Sequence, residues 1–235
     1  MLSRENLGVM IVDESSKIDL NFIDFTLFKE SEFQKLLNNR SWVDLQDERE
    51  ALGFINNIEI YREYFRDDVE FGAIFTTHSK PNINNSSDIS LEMLYNLATA
   101  NSSRASIFIN KVITRRKSQN PYTEEEIDKE IRDYVTALPS WNINTLDPKL
   151  LKALLSKYDL DYMPLYREIK TEKELKQIYR VPKEKSSLYT YLGVTTTCWK
   201  ITVEDNINRV MTTLWYGLNA DLTGYFLINR SKILL

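Results

Sequence analysis

The stretch SLEMLYNLATANSSRASIFINKVITRRK, residues 90–117, is the longest helical pattern in the chain and decides the predicted fold. Its apolar residues fall on the first and fourth positions of successive heptads, a spacing that puts them on one face of a helix. They are Leu91, Leu94, Ala98, Ala105, Phe108 and Val112. Such a helix would be about 40 Å long, longer than most helices of compact domains. The sequence therefore predicts a central spine helix.

The ends of this helix are well marked, whereas its middle is weak. Asp88 and Ser90 can cap the start, and Pro121 prevents continuation soon after the end. Asn101 and the two serines after it interrupt the apolar series. A kink, a close contact through small residues and a break into two helices all fit this interruption, and we favour one continuous helix.

Capping boxes mark two further helices on the C-terminal side of the spine. Thr123 and Glu126 begin a helix that Pro139 stops, and this helix and the spine could form an antiparallel hairpin. Thr171 and Glu174 begin a shorter helix that ends before residue 182. Other helices are predicted over residues 31–39, 44–65 and 147–158.

Strand signals lie towards both ends of the chain. From residue 187 onward, threonine, tyrosine, tryptophan and valine are frequent, which predicts an antiparallel sheet over residues 188–203, 209–216 and 222–228. A helix over residues 206–214 is the alternative. Residues 69–76 are predicted as another short strand. Residues 1–28 are predicted as an extended apolar arm that another surface must cover.

The predicted fold class is α+β and predominantly α. It combines a long central helix and a helical hairpin with a small antiparallel β-element in the C-terminal third and an extended N-terminal arm. We divide the chain into the arm at residues 1–30, a mainly helical core at 31–182 and a β-rich part at 183–235, with the β-rich part and the core forming one compact unit.

Composition excludes several kinds of site. The single cysteine, Cys198, cannot form an intrachain disulfide, and together with the single histidine, His78, it excludes cysteine and histidine zinc sites within one chain. The 6 glycines are too scattered to form a phosphate-binding loop. No apolar run has the length of a signal peptide or a membrane span. We expect a cytoplasmic protein without a cofactor.

Charge is distributed unevenly along the chain. Residues 1–70 carry 8 Lys and Arg against 16 Asp and Glu, whereas residues 71–180 and 181–235 each have a net charge of +2. Solvated acidic helices explain this pattern most simply. An acidic surface that binds a basic partner is the alternative.

Three residues fit the pattern of metal-dependent nucleases. Asp161, Glu168 and Lys170 could supply two carboxylates for magnesium and a lysine near the attacking water. The pattern is permissive in a chain with 34 acidic and 30 basic residues, so chance is the favoured explanation. We assign no catalytic, cofactor-binding or metal-binding residue.

Other candidates have structural explanations that suffice. Asp67, Asp68 and Glu70 could collect a cation, but a solvated turn is simpler. His78 is interpreted as a surface imidazole and Cys198 as a buried thiol. The dense basic cluster could contact DNA phosphate, although basic residues also complement a helix dipole. It consists of Lys111, Arg115, Arg116 and Lys117.

One aromatic set could line a sugar or base platform, but sheet core or subunit contacts are the more common use of such residues. The set consists of Tyr189, Tyr191, Trp199, Trp215, Tyr216, Tyr225 and Phe226.

We predict a structural protein, because the sequence has no catalytic motif, a long helix and apolar residues near both ends. Its expected partners are further copies of itself, in a homo-oligomer, and other structural proteins of the same assembly. Frequent asparagine, isoleucine, lysine and tyrosine are typical of low-GC coding sequences, which bacteria and their viruses share. The specific hypothesis is a virion component of a tailed phage, such as a connector, collar or tail-ring subunit, assembled in the host cytoplasm. A metal-dependent nuclease and a small regulator that binds a host protein are the alternatives.

Overall fold

The fraction of residues in helices exceeds the fraction in strands by less than the sequence predicted. The computed structural model describes residues 7–29, 32–38, 41–55, 57–218 and 225–234. Helices account for 42% of the chain and strands for 20%, so the prediction of a predominantly helical fold with a long central helix is wrong.

The α-helices are short, and several connections are 3-10 helices. The α-helices are α1 (Trp42–Leu52), α2 (Phe71–Ile74), α3 (Asp88–Thr99), α4 (Ser102–Lys117), α5 (Pro148–Lys157), α6 (Glu172–Ile178) and α7 (Leu188–Tyr191). The 3-10 helices are Glu14–Ser16, Phe25–Phe28, Glu32–Leu36, Ile58–Tyr64, Glu124–Glu126 and Lys183–Lys185.

The strands form one larger sheet and two minimal ones. They are β1 (Leu7–Asp13), β2 (Ile18–Asp19), β3 (Phe75–Thr76), β4 (Trp141–Asn142), β5 (Leu192–Gly193), β6 (Cys198–Asp205), β7 (Val210–Leu218) and β8 (Tyr225–Leu234). The larger sheet is antiparallel, with the strand order β1-β6-β7-β8. The pairs β2-β3 and β4-β5 are parallel.

The predicted spine is two helices rather than one. Ala100 ends α3 in a left-handed conformation with φ 50°, and the Asn101 side chain caps α4 by accepting a hydrogen bond from the Arg104 amide. The two helices fold back on each other, with the rings of Tyr95 and Phe108 stacked 4.6 Å apart. Folding back lets the two halves of the apolar stripe bury each other, which one straight helix could not do.

The capping-box helix is also shorter than predicted. Thr123 and Glu126 do form the reciprocal box, but the helix ends at Glu126 as a 3-10 turn. Glu124 accepts hydrogen bonds from the amides of Ala137 and Leu138 at 2.5 and 3.1 Å. These amides are therefore bound to a side chain instead of the helical carbonyls. The predicted hairpin of this helix with the spine does not form.

Two other local predictions, a helix over residues 44–65 and a strand over residues 69–76, are also wrong. The predicted helix over residues 44–65 ends at Leu52, because Gly53 adopts a φ of 71° that a helix cannot continue. In place of the predicted strand over residues 69–76, the short helix α2 precedes a two-residue strand.

The extended N-terminal arm of the predicted fold class is wrong for most of its length. After β1, residues 18–28 belong to the main hydrophobic core, where Ile18, Leu20 and Phe28 are fully buried. The aromatic arm is therefore covered by its own chain. The division of the chain at residues 30 and 182 stays a prediction.

The buried apolar side chains of the described residues form two hydrophobic cores. The larger one joins residues 18–75 to α5, α6 and the segment around Trp141, whose indole nitrogen donates to the Lys17 carbonyl at 3.1 Å. The smaller one lies between α3, α4 and the turns after Glu126, where Ile127, Ile131 and Val135 are buried. Tyr134, which the predicted helix would bury beside these three residues, is 53% exposed.

Candidate functional site: the outer sheet

The sheet β1-β6-β7-β8, here called the outer sheet, lies apart from both cores. None of its described residues belongs to either hydrophobic cluster. The side chains of Val9, Met10 and Ile11 are 61, 55 and 61% exposed. A sheet is normally stabilised by burying one face against another layer. In the described part of the chain, the body covers part of one face of the outer sheet, and no second layer covers the face that carries Val9 and Ile11.

One face of the outer sheet is mainly apolar on β1, β6 and β7, although Asp205 and Thr212 lie on it and β8 contributes Arg230 and Lys232. The register pairs Val9 with Val203 and Ile11 with Ile201 across β1 and β6, and it pairs Ile201 with Leu214 across β6 and β7. Since residues directly opposite each other point to the same side, these form one surface. We define the apolar face as Val9, Ile11, Ile201, Val203, Val210 and Leu214. All six are exposed or only half-buried.

The opposite face is more polar and better covered on β6 and β7, although Met10 of β1 is exposed on it. Thr202 and Thr213 are each 5% exposed there, and Lys200 lies 5.8 Å from the Trp215 ring. The imidazole of His78, from the body of the protein, packs on the same Trp215 ring with centroids 4.4 Å apart. The body therefore contacts the polar face, and the apolar face is open except at the end of β1, where Asp13 on that face contacts Thr145 of the body.

The two edges of the outer sheet differ in chemistry. β8 carries Arg230 and Lys232, and its pairing with β7 shifts register next to Trp215. Charges and bulges of this kind hinder pairing with another strand. The β1 edge reads Leu-Gly-Val-Met-Ile-Val from residue 7 to 12 and has no charge. Apolar exposure is therefore concentrated at the β1 side of the sheet.

A buried polar network fixes the sheet to the body. Asp13, at the end of β1, accepts hydrogen bonds from the hydroxyls of Thr145 at 2.7 Å and Thr196 at 2.6 Å. Its other oxygen accepts from the amide and hydroxyl of Ser15 at 3.0 and 2.5 Å. The Thr197 amide in turn donates to the Ser15 hydroxyl at 3.2 Å. These bonds join three segments that are distant in sequence, namely residues 13–15, residue 145 and residues 196–197, next to the end of β1 and the start of β6.

The next residues extend this network into the body. Lys17 forms a buried ion pair with Glu14 at 2.6 Å and donates to the Gly72 carbonyl at 2.8 Å. The other Glu14 oxygen accepts from the Thr76 hydroxyl at 2.5 Å. Because both charges are buried and hydrogen-bonded, the segment holds one conformation instead of offering free groups to a ligand.

Asp19 is the most perturbed carboxylate of this region. Burial raises its pKa to about 6, although hydrogen bonds from Ser79 and Asn21 oppose the shift. It lines a cavity of about 30 Å³ with Lys17, Lys80 and Tyr191. Burial also lowers the pKa of Lys80. A cavity of this size matches one water molecule, which is too little for an organic substrate.

The nuclease-like residues are not assembled into a site. Asp161, Glu168 and Lys170 are exposed and lie between α5 and α6 in a segment without helix or strand. The Lys170 amide donates to Glu174 at 3.0 Å, which belongs to the start of α6. Across the described ranges, no group of three acidic, cysteine or histidine side chains could hold a metal ion.

The charged turn at Asp67, Asp68 and Glu70 is exposed, with Asp68 paired to Arg66 at 2.9 Å. This geometry agrees with the simpler interpretation as a solvated turn.

Half of the basic cluster has intramolecular partners. Arg115 pairs with Glu126 at 2.8 Å, and Arg116 pairs with Asp88 at 2.6 Å. Arg116 also donates to the carbonyls of Ile83 and Ser86 at 2.6 and 2.8 Å, and burial lowers its pKa. Contact with DNA phosphate stays a prediction that rests on the exposed residues Lys111 and Lys117.

Cys198 is buried as predicted, and its thiol donates to the His78 carbonyl at 2.9 Å. Burial raises the pKa of this thiol, which keeps it protonated. The sequence predicted that the imidazole of His78 lies on the surface. In the structure it is half-buried against Trp215.

The predicted aromatic platform is divided among several places. Tyr191 packs against Trp141 at the main core, and the Tyr189 hydroxyl donates to the Tyr179 carbonyl at 2.5 Å. Trp199 pairs with Tyr216 in the outer sheet, and the adjacent Trp215 points to the other face. The side chains of residues 225 and 226 lie outside the described part of the chain.

The apolar face had a signal in the sequence that our prediction overlooked. Trp199, Ile201 and Val203 alternate with Lys200, Thr202 and Glu204, which is the pattern of a strand with one buried face. The pattern could not identify the partner strand β1, because β1 lies at the other end of the chain.

Within the described residues, no helix combines the length and the apolar character needed to cross a membrane. No family model, curated protein or solved structure matches this chain.

Proposed function

We propose that this chain is a non-enzymatic assembly protein that works in an oligomer or a larger complex, and that the outer sheet is the part through which it assembles. The observation that carries the proposal is the open apolar face, whose residues belong to neither core. Exposed apolar surface of this extent is characteristic of interaction sites. Leaving it in water would favour aggregation.

The architecture suits this role. Two cores stabilise the body without the sheet, so the sheet is free to present its surface to another molecule. The Asp13 network holds the base of the sheet in one orientation. A fixed interface loses less conformational entropy on binding than a mobile one.

The form of assembly that we propose is the virion of a tailed phage, in which this chain would be a connector, collar or tail-ring subunit. Its support is the low-GC residue usage together with the assembly surface. Contacts with other structural proteins of the same particle would use the exposed edges that remain.

Light scattering across a range of protein concentrations tests the proposal. We expect the purified protein to have the mass of an oligomer at concentrations from about 1 to 100 μM. A clean monomer over this whole range would contradict the proposed function. A magnesium-dependent nuclease assay, with Glu168→Ala as its control, addresses the enzymatic alternative, and we expect no cleavage above background.

A further inference from the structure

We propose that the apolar face of the outer sheet packs against the same face of a second copy of this chain, across a two-fold axis, to form a sandwich of two four-stranded sheets. This inference rests on the proposed function, for which it names the partner and the geometry.

The pattern of side chains calls for a cover that is itself apolar. On β6, Trp199, Ile201 and Val203 point to the open side, and Lys200 and Thr202 point to the side that the body contacts. Alternation of this kind is typical of sheets with one buried face. The chain itself has another surface of matching shape and chemistry, because an identical sheet is as long, as wide and as apolar as the one to be covered.

The area of the whole sheet face is sufficient for a specific dimer, with β8 contributing the stems of Arg230 and Lys232 rather than apolar side chains. Four strands spaced about 4.8 Å apart and seven to ten residues long give a face of about 19 by 25 Å. Each copy would therefore contribute roughly 500 Å² of flat surface, and two copies roughly 1,000 Å². That total reaches the lower end of the range for biological interfaces. Two sheets in this arrangement pack about 10 Å apart, with interdigitated side chains.

Charge selects the direction of the two-fold axis. Arg230 and Lys232 pair with Leu214 and Thr212, so both basic residues lie at the β8 margin of the apolar face. An axis perpendicular to the strands would put β8 over its own copy and bring the Lys232 side chains of the two copies together. An axis parallel to the strands puts β8 over β1, where the aliphatic stems can cover the side chains of Val9 and Ile11. We infer the parallel axis.

Three neighbouring residues of β1 provide the test. Val9 and Ile11 point to the apolar face and Met10 to the opposite one, and all three are exposed to a similar degree. We would measure the dimer dissociation constant by sedimentation equilibrium for Val9→Lys, Ile11→Lys and Met10→Lys. We expect a loss of affinity of roughly 100-fold or more for the first two, because each dimer would bury two unpaired ammonium groups. The matched control Met10→Lys should remain within about threefold of the wild type.

Thermal unfolding of each variant separates loss of association from loss of fold. The three substitutions lie on the surface, so their unfolding midpoints should agree closely when each protein is diluted below the dissociation constant of the wild type. If Met10→Lys dissociates the dimer as strongly as its neighbours do, the strand edge rather than the face is the interface, and the inference is wrong. An oligomer that all three variants leave intact would also overturn it, while the proposed function would stand. A wild-type monomer at every concentration would contradict both.

Discussion

Asp19 shows how burial of one residue can set a pH dependence for the whole fold. Its pKa of about 6 in the folded protein lies above the ordinary value of 3.8, because burial disfavours the charged form. A raised carboxylate pKa means that the folded state binds a proton more tightly than the unfolded state. The stabilisation is fully present below the ordinary pKa and is lost as the pH rises through about 6.

We therefore predict that the Asp19 contribution to the free energy of unfolding increases by about 1 kcal/mol between pH 7 and pH 5. Urea unfolding of the wild type and of Asp19→Asn at both pH values would measure it. The difference between the two proteins isolates this residue from the other groups that titrate. An equal pH response in both proteins would show that Asp19 has no such role.

Asp13 is the residue that joins the outer sheet to the body. Asp13→Ala would remove the acceptor of the buried Thr196 hydroxyl and one of the partners of the exposed Thr145 hydroxyl. We predict a loss of about 2–4 kcal/mol in the free energy of unfolding. Asp161→Ala, at an exposed carboxylate, is the matched control and should change stability by less than about 0.5 kcal/mol. A small effect of Asp13→Ala would mean that water replaces the network at little cost.

At the scale of single elements, the break between α3 and α4 decides the shape of the helical region. Ala100 adopts a left-handed conformation that favours glycine. We predict that Ala100→Gly raises the free energy of unfolding by about 0.5–1 kcal/mol. Ala98→Gly, within α3, should lower it by about the same amount, because glycine is unfavourable inside a helix.

Chemical denaturation of these two variants would show changes of opposite sign if the break is present in solution. If the spine were one continuous helix, both glycines would be destabilising. The pair thus compares the structure directly with the prediction made from the sequence.

Elements with strong local signals could be predicted from the sequence, whereas those defined by distant contacts could not. The start of α5 at Asp147-Pro148 and the capping of α6 by Thr171 were correct, since the residues that fix them are close in sequence. The helix predicted after Thr123 failed because Glu124 binds the amides of Ala137 and Leu138. That contact competes with the helix and has no local signature.

The candidate site shows the same division. The strands predicted over residues 188–203 and 209–216 overlap β6 and β7, but residues 188–191 form the helix α7 instead. The pairing of β1 with β6 joins opposite ends of the chain, so the apolar face could not be identified until the register was known. For Asp161, Glu168 and Lys170 the sequence suggested a site from a permissive spacing, whereas the fold leaves all three residues exposed in a segment without helix or strand.

At the scale of the whole molecule, two stable cores support a sheet whose own face is open. An interface made from that face would depend on the burial of apolar surface. We predict that raising the sodium chloride concentration leaves the dissociation constant of the oligomer nearly unchanged, that ammonium sulfate lowers it and that cooling raises it.

Analytical ultracentrifugation across salt and temperature would measure these trends. Dissociation by moderate sodium chloride would instead indicate a charged interface, such as contact between the acidic first third of the chain and a basic surface.

The long separation between β1 and its partner strand also has a consequence during protein synthesis. Asp13 pairs with Trp199, so β1 leaves the ribosome long before β6 exists. At ordinary elongation rates the delay is about 10–40 s. Throughout that interval a nascent chain has no complete outer sheet. Copies growing on the same messenger RNA therefore cannot join through it until each has been translated nearly to its C-terminal strands.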